Sequence, residues 1–171
     1  MRLDELFPAG LTYRQCIKGG VYRLSDAVIA KRYDDWAVGE RVMRLSEVVR
    51  DAGIVVPDIL CAASIVPTIG TRGSSYLLMR NVPGQFVADL DCPSRAEAEA
   101  LFRDSVRRVL SLGIAPEGVF WFQNSVYGND GRVYLLDLDL WRESCDGETR
   151  ERYERALASP SIFEYPIGRS R

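Results

Sequence analysis

The sequence predicts an α+β fold in which a small antiparallel sheet carrying one helix precedes a mainly helical region. Three observations carry that prediction. Three short strand-like runs crowd together ahead of the first helical pattern, two longer stretches space their apolar residues as helices do, and Gly128-Asn129-Asp130-Gly131 separates two short apolar runs as a hairpin turn does.

The opening runs are Thr12 to Ile17, Val21 to Leu24 and Ala27 to Tyr33, divided by Lys18-Gly19-Gly20 and by Ser25-Asp26. Asp34 and Asp35 then introduce a helix over Trp36 to Asp51, with Val38, Val42, Leu45 and Val49 on one face and Gly53 as its stop. An extended stretch from Ile54 to Ile65, interrupted by Pro57, leads into a loop of small residues from Pro67 to Ser75. Tyr76 to Val82 reads as a strand that ends at Pro83-Gly84, where the chain is expected to pass between subregions. Ser94 and Glu97 have the spacing of a capping box for a helix over Arg95 to Leu112, which would turn Phe102, Val106, Val109 and Leu112 inward and stop at Gly113. Asn124 to Tyr127 and Arg132 to Leu136 form the hairpin strands, and a last polar helix covers Glu148 to Ala158 before Pro160.

Composition narrows the chemistry. A chain of 171 residues, 47% hydrophobic and 27% charged, suits one globular domain, and its net charge of -2 provides no basic field for nucleic acid. The first ten residues lack the pattern of a signal peptide and no apolar run is long enough to span a bilayer, so a soluble, cytoplasmic protein is expected. Cys16, Cys61, Cys92 and Cys145 are scattered without a CxxC pair, which predicts reduced thiols rather than a zinc site or disulfides. The chain has no histidine, which removes Ser-His and Cys-His nucleophile pairs and leaves acid-base chemistry to carboxylates.

Among its basic residues, 20 are arginine and only Lys18 and Lys31 are lysine. Lys31 lies between Ile29 and Tyr33 on one side of an alternating strand, so its ammonium projects along an otherwise apolar face and needs partners. Glu40 and Glu47 fall on one stripe of the following helix and either can supply a carboxylate; Glu40, nearer the helix start, is preferred. Asn124 and Asp137 are nearly symmetric about the hairpin turn, so antiparallel pairing should bring them close as two oxygen ligands suited to a hard cation. If the chain stays extended, Asp139 points the same way and adds a third.

The segments VIAKRY, YLLMRNVPG and NSVYGNDGRVYLLDLD, in this order, resemble the third-strand lysine motif, the hinge and the asparagine-to-aspartate hairpin of the protein-kinase superfamily, in its minimal bacterial and small-molecule phosphotransferase forms. The resemblance covers roughly Gly19 to Leu140. It implies a minimal two-lobed protein-kinase-like fold in one domain of residues 1–171, with an N-lobe over about 1–82, a hinge at about 80–84, and a reduced, mainly helical C-lobe over about 85–171. ATP and Mg²⁺ are the implied cofactors. Lys31 would hold phosphates and pair with the helix glutamate; Gly19 and Gly20 would let backbone approach the phosphates; Asn124 and Asp137 would hold the metal, with Asp139 as the further ligand that an extended chain would add. Met79 matches the gatekeeper, backbone groups of Arg80 and Val82 would meet the adenine edge, and Val21, Ile29 and Val126 would wall the base.

The catalytic loop departs from the family. Five residues before Asn124, where the relatives carry a proton-accepting aspartate, stands Val119; a one-residue insertion would put Gly118 there, and Glu117 is the nearby carboxylate. Val119-Phe120-Trp121-Phe122 is also strongly apolar, which allows a buried plug, a partner surface or an altered substrate pocket. The reading is therefore a kinase-like nucleotide-binding protein that is a pseudokinase or an atypical phosphotransferase. An active minimal effector-type kinase or nucleotidyltransferase using Glu117, and a non-enzymatic interaction module, are the alternatives. A nucleotide and a protein substrate or binding partner are the expected partners; export as an effector is not readable from the sequence.

Overall fold

In the computed structural model, residues 16–18, 20–65, 74–116 and 124–159 are described. The expected strands at 12–15, the loop at 66–73, Gly19, Glu117 and the apolar segment after it lie outside them. The chain divides into two compact units, one formed by Met1–Arg44 with Pro57–Val82 and the other by Leu45–Val56 with Pro83–Arg171.

The first unit holds a five-stranded antiparallel sheet. Its strands are β1 (Cys16–Lys18), β2 (Val21–Arg23), β3 (Val28–Tyr33), β4 (Ile59–Ile65) and β5 (Ser74–Arg80), in the spatial order β1-β2-β3-β5-β4. Helix α1 (Trp36–Asp51) interrupts the succession between β3 and β4, and the alternation of β3 explains its central place. Ala30, on one side, is fully buried, whereas Lys31 lies on the other in a row with Val21, Leu77 and Ala62. Next to it on that side comes the row of Tyr33 and Ser75. Asp35 starts α1 by accepting the Ala37 N–H through Oδ1 at 2.9 Å.

Helix α1 sits unusually close to the sheet, and Gly39 is the reason. A Cβ built there would lie 2.1 Å from Ser75 Oγ, 2.7 Å from Ser75 Cβ and 3.7 Å from Tyr33 Cδ2, so only glycine admits this approach. Ser75 was expected in a loop. Instead it is the second residue of β5 and almost fully buried, because the helix covers it.

The second unit is built around α2 (Ser94–Ser111), which buries Ala98, Phe102, Val106, Val109 and Leu110, and α3 (Gly147–Ala158), which buries Tyr153, Ala156 and Leu157. Leu45 and Val49 from the end of α1 are also buried. A three-stranded sheet orders β6 (Gly84–Phe86), β8 (Ser125–Gly128) and β9 (Val133–Leu135), and β7 (Ala115–Pro116) pairs with β10 (Trp141–Arg142). Short 3-10 turns occupy Val87–Asp89 and Leu138–Leu140. Three guanidinium groups close helix ends: Arg150 Nη2 donates to Leu110 O at 2.9 Å, Arg103 Nη1 to Leu157 O, and Arg108 Nη2 to Ala52 O.

Two expectations about α2 do not hold. Ser94 is not its cap: Pro93 precedes the helix with no side-chain capping bond, and Glu97 instead acts electrostatically on Tyr127, adding to burial in raising its hydroxyl. Leu112 is 41% exposed, because the helix ends at Ser111 and the turn carries Leu112 off the apolar stripe, while Leu110 takes the inward place. A side-chain cap does form at α3, where Asp146 Oδ1 accepts the Thr149 N–H at 2.7 Å, a bond that holds the Asp146 carboxyl below its ordinary range. Among the described residues no helix is long and apolar enough to cross a membrane, and Cys61, Cys92 and Cys145 are free thiols.

Candidate functional site

In the second unit the candidate residues gather at the open end of the β8–β9 hairpin. Ser125 pairs with Leu135, Val126 with Tyr134 and Tyr127 with Val133. One step further the Leu136 N–H donates to Asn124 O at 2.8 Å, which fixes Asn124 beside the residue that precedes Asp137. Val126 is buried in β8. Leu135 N donates to Val55 O at 3.0 Å and anchors β9 to the segment after α1.

The turn end is held by charge. Asp130 Oδ2 accepts from Arg132 Nε at 2.6 Å and from the Tyr134 hydroxyl at 2.8 Å, while Arg132 Nη2 donates to that hydroxyl at 2.9 Å. The Tyr134 hydrogen bond, helped by Arg132, lowers the Asp130 carboxyl. Tyr127 is raised, first by burial and then by Glu97.

Asp137 is the exceptional residue. Its φ of 52° and ψ of 47° place it in the left-handed region, the single non-glycine residue there among those described. Such a conformation costs on the order of 1 kcal/mol and persists where the surroundings require it, often at functional sites. The strand has ended at Leu135, and Asp139 lies inside the 3-10 turn that Asp137 precedes. The extended-chain argument for Asp139 therefore fails: residues two apart in a 3-10 turn do not share a direction. Among the described residues no three acidic, histidine or cysteine side chains cluster for a metal. What remains is an amide with a carboxylate, hard oxygen donors of the kind that share Mg²⁺ with substrate phosphates.

In the first unit, Lys31 Nζ lies over the Tyr33 ring, 5.2 Å from its centroid. Val21 and Lys31 are cross-strand partners, Ile29 pairs with Met79, and Val21, Ile29, Lys31 and Met79 are all half-buried. Gly20, at φ 85°, makes the β1–β2 turn, its carbonyl accepting the Arg32 N–H at 2.8 Å. Glu40 and Glu47 are both exposed on α1; the division into units puts Glu40 with Lys31 in the first and Glu47 in the second. Of the backbone groups of Arg80, the N–H donates to Asp58 O at 2.9 Å, which ties the end of β5 to the residue just before β4 and leaves the carbonyl for the adenine-edge expectation. The next amide, Asn81 N–H, donates to Ala27 O at 2.8 Å. Val82 follows as the last residue of that unit.

The fold is similar to that of several solved structures. WaaP in complex with acyl carrier protein superposes with a TM-score of 0.54 at 15% identity, over 82% of this chain and 69% of that one. WbdD with the kinase inhibitor LY294002 gives 0.53 at 13% identity, over 80% of this chain and 34% of that one. The bifunctional kinase-methyltransferase WbdD gives 0.50 at 14% identity and 80% coverage.

The fold is kinase-like. This α+β architecture bears out the fold class expected from the sequence. The chain spans about a third of the WbdD chain, and the sequence matches no family model and no curated protein. Two features of the kinase-like chain were missed in the sequence. Tyr33 was legible as the residue two along from Lys31 on one strand; the contact of Ser75 with Gly39 had no periodic signal.

Proposed function

We propose that this chain binds ATP with Mg²⁺ and, lacking the usual catalytic aspartate, acts as a pseudokinase or an atypical phosphotransferase. The observation that carries the reading is the register of the hairpin, which holds Asn124 beside the Leu136-Asp137 step that follows β9 while Asp137 is kept in a strained conformation. In this reading Lys31 engages the phosphates and Glu40 or Glu47 orients it. Gly19 and Gly20 admit the phosphates close to backbone. Val21, Ile29 and Val126 wall the base in front of Met79, and backbone at Val82 with the Arg80 carbonyl meets its edge. Asn124 and Asp137 hold the metal, which when bound neutralises phosphate charge; Asp139 adds negative charge nearby.

The boundaries proposed are one domain over 1–171, with lobes over about 1–82 and 85–171 and a hinge at about 80–84. WaaP has been solved with acyl carrier protein, which supports looking for a protein substrate or partner here as well. Val119 stands where an aspartate is expected, so transfer by a general base falls to Glu117 or is absent, and that loss reduces rate by about 10² to 10⁴.

The chemistry is tested with ATP labelled separately on its α and γ phosphates and cell lysate as acceptor. Transfer of neither label, or slow γ transfer lost in Glu117→Gln, is the expected result. Transfer of the α label would move the assignment to nucleotidyl transfer. Rates of an ordinary protein kinase, unchanged in Glu117→Gln, would overturn the proposal.

A further inference from the structure

We infer that Tyr33 is a positioning residue for Lys31, and that the seating of α1 on the sheet at Gly39 reaches the lysine through its ring. The inference rests on the role proposed for Lys31 and adds how that ammonium is held. Lys31 and Tyr33 are two apart on β3 and share a face, and the ammonium lies 5.2 Å from the ring centroid, within cation–π range. Tyr33 itself is only 8% exposed. On the cross-strand side it meets Ser75, and on the helix side its Cδ2 stands 3.7 Å from the place of a Gly39 Cβ. The ring is thus fixed by two elements while the lysine stem is half-buried.

A four-carbon side chain carries much rotamer freedom, and a ring that restricts it before nucleotide arrives lowers the ordering cost at binding. The glutamates of α1 are exposed, and an exposed ion pair stabilises weakly. The aromatic contact does not depend on which of them approaches. Any change that lifts α1 from Ser75 also frees the ring, so helix position and lysine orientation are linked.

The test uses two readouts on the whole chain. Reductive ¹³C-methylation labels Lys31 and Lys18, the only lysines, together with the N-terminal amine. The Lys31 methyl resonance is expected to carry a ring-current shift without nucleotide, to lose it in Tyr33→Leu and to regain it in Tyr33→Phe. Mg-ATP affinity of the unmodified chain, by calorimetry, is expected to fall about twofold to thirtyfold in Tyr33→Leu, the range of one cation–π contact. Because Tyr33→Leu can disturb packing, phenylalanines of increasing fluorination are placed at position 33. They keep the shape and weaken the π face, and affinity should fall stepwise with fluorine number.

Wild-type affinity in Tyr33→Leu or throughout the fluorinated series, with nucleotide still bound, overturns the positioning role and leaves the nucleotide-binding proposal intact. No Mg-ATP binding by the wild type overturns both, whatever the resonance does. An unshifted Lys31 resonance in the wild type overturns the contact itself.

Discussion

Asp137→Gly is expected to lose Mg²⁺-dependent nucleotide binding while keeping the stability of the wild type. Asp137 sits at φ 52°, where a Cβ is unfavourable and glycine is at ease. Removing the side chain relieves strain on the order of 1 kcal/mol, which offsets the larger backbone entropy of glycine in the unfolded chain. Binding has no such offset. A charged contact contributes about 1.5–3 kcal/mol, so losing the carboxylate should weaken Mg-ATP by about tenfold or more. Lys31→Ala should weaken it to a similar degree by removing the phosphate cation. Calorimetry and thermal melts of the same samples check both halves. Binding equal to wild type in Asp137→Gly and Lys31→Ala would remove this site, and a large fall in melting temperature for Asp137→Gly would mean that the carboxylate is structural.

Gly39→Ala should be the most damaging small substitution in the first unit. Replacing glycine inside a helix normally stabilises by about 1 kcal/mol. Here the new methyl would lie 2.1 Å from Ser75 Oγ and 2.7 Å from Ser75 Cβ, and the overpacking should reverse the sign to a net loss of about 1–3 kcal/mol. Among the described residues Ser75 Oγ is buried without a hydrogen-bond partner, so Ser75→Ala alone should be neutral or mildly stabilising. Gly39→Ala with Ser75→Gly should recover part of the loss, giving a favourable coupling in a double-mutant cycle by urea denaturation. A more stable Gly39→Ala would show that the helix does not approach the sheet as closely as the Gly39–Ser75 distance requires.

The sequence was most readable where a single periodic signal coincided with a stop. Helix α1 runs over Trp36–Asp51 as its apolar spacing and Gly53 indicate, and the hairpin turn at Asn129-Asp130 joins the strands expected on either side. It was less readable where two elements decide together. Ser74 and Ser75 look like loop residues, yet they open β5, because the glycine opposite lets a helix cover a small polar side chain. Glu97 has capping-box spacing, but α2 starts without a side-chain cap and the charge of Glu97 acts on Tyr127, thirty residues away in the chain. The left-handed turn at Asp137 is invisible to alternation, and it is what redirects Asp139. The candidate residues were recognisable by type and spacing; their backbone commitments, such as the Arg80 N–H to Asp58, depend on strand ends that no periodicity marks.

Calorimetric titration of the chain with ATP and with adenosine, each with and without Mg²⁺, tests nucleotide binding most directly. Binding of ATP that is tighter with Mg²⁺ and tighter than that of adenosine is the predicted result, since the proposal has Lys31, Asn124 and Asp137 acting on the phosphates and metal rather than on the base. Absence of heat with ATP in the presence of Mg²⁺, or equal affinity for ATP and adenosine regardless of Mg²⁺, would contradict it.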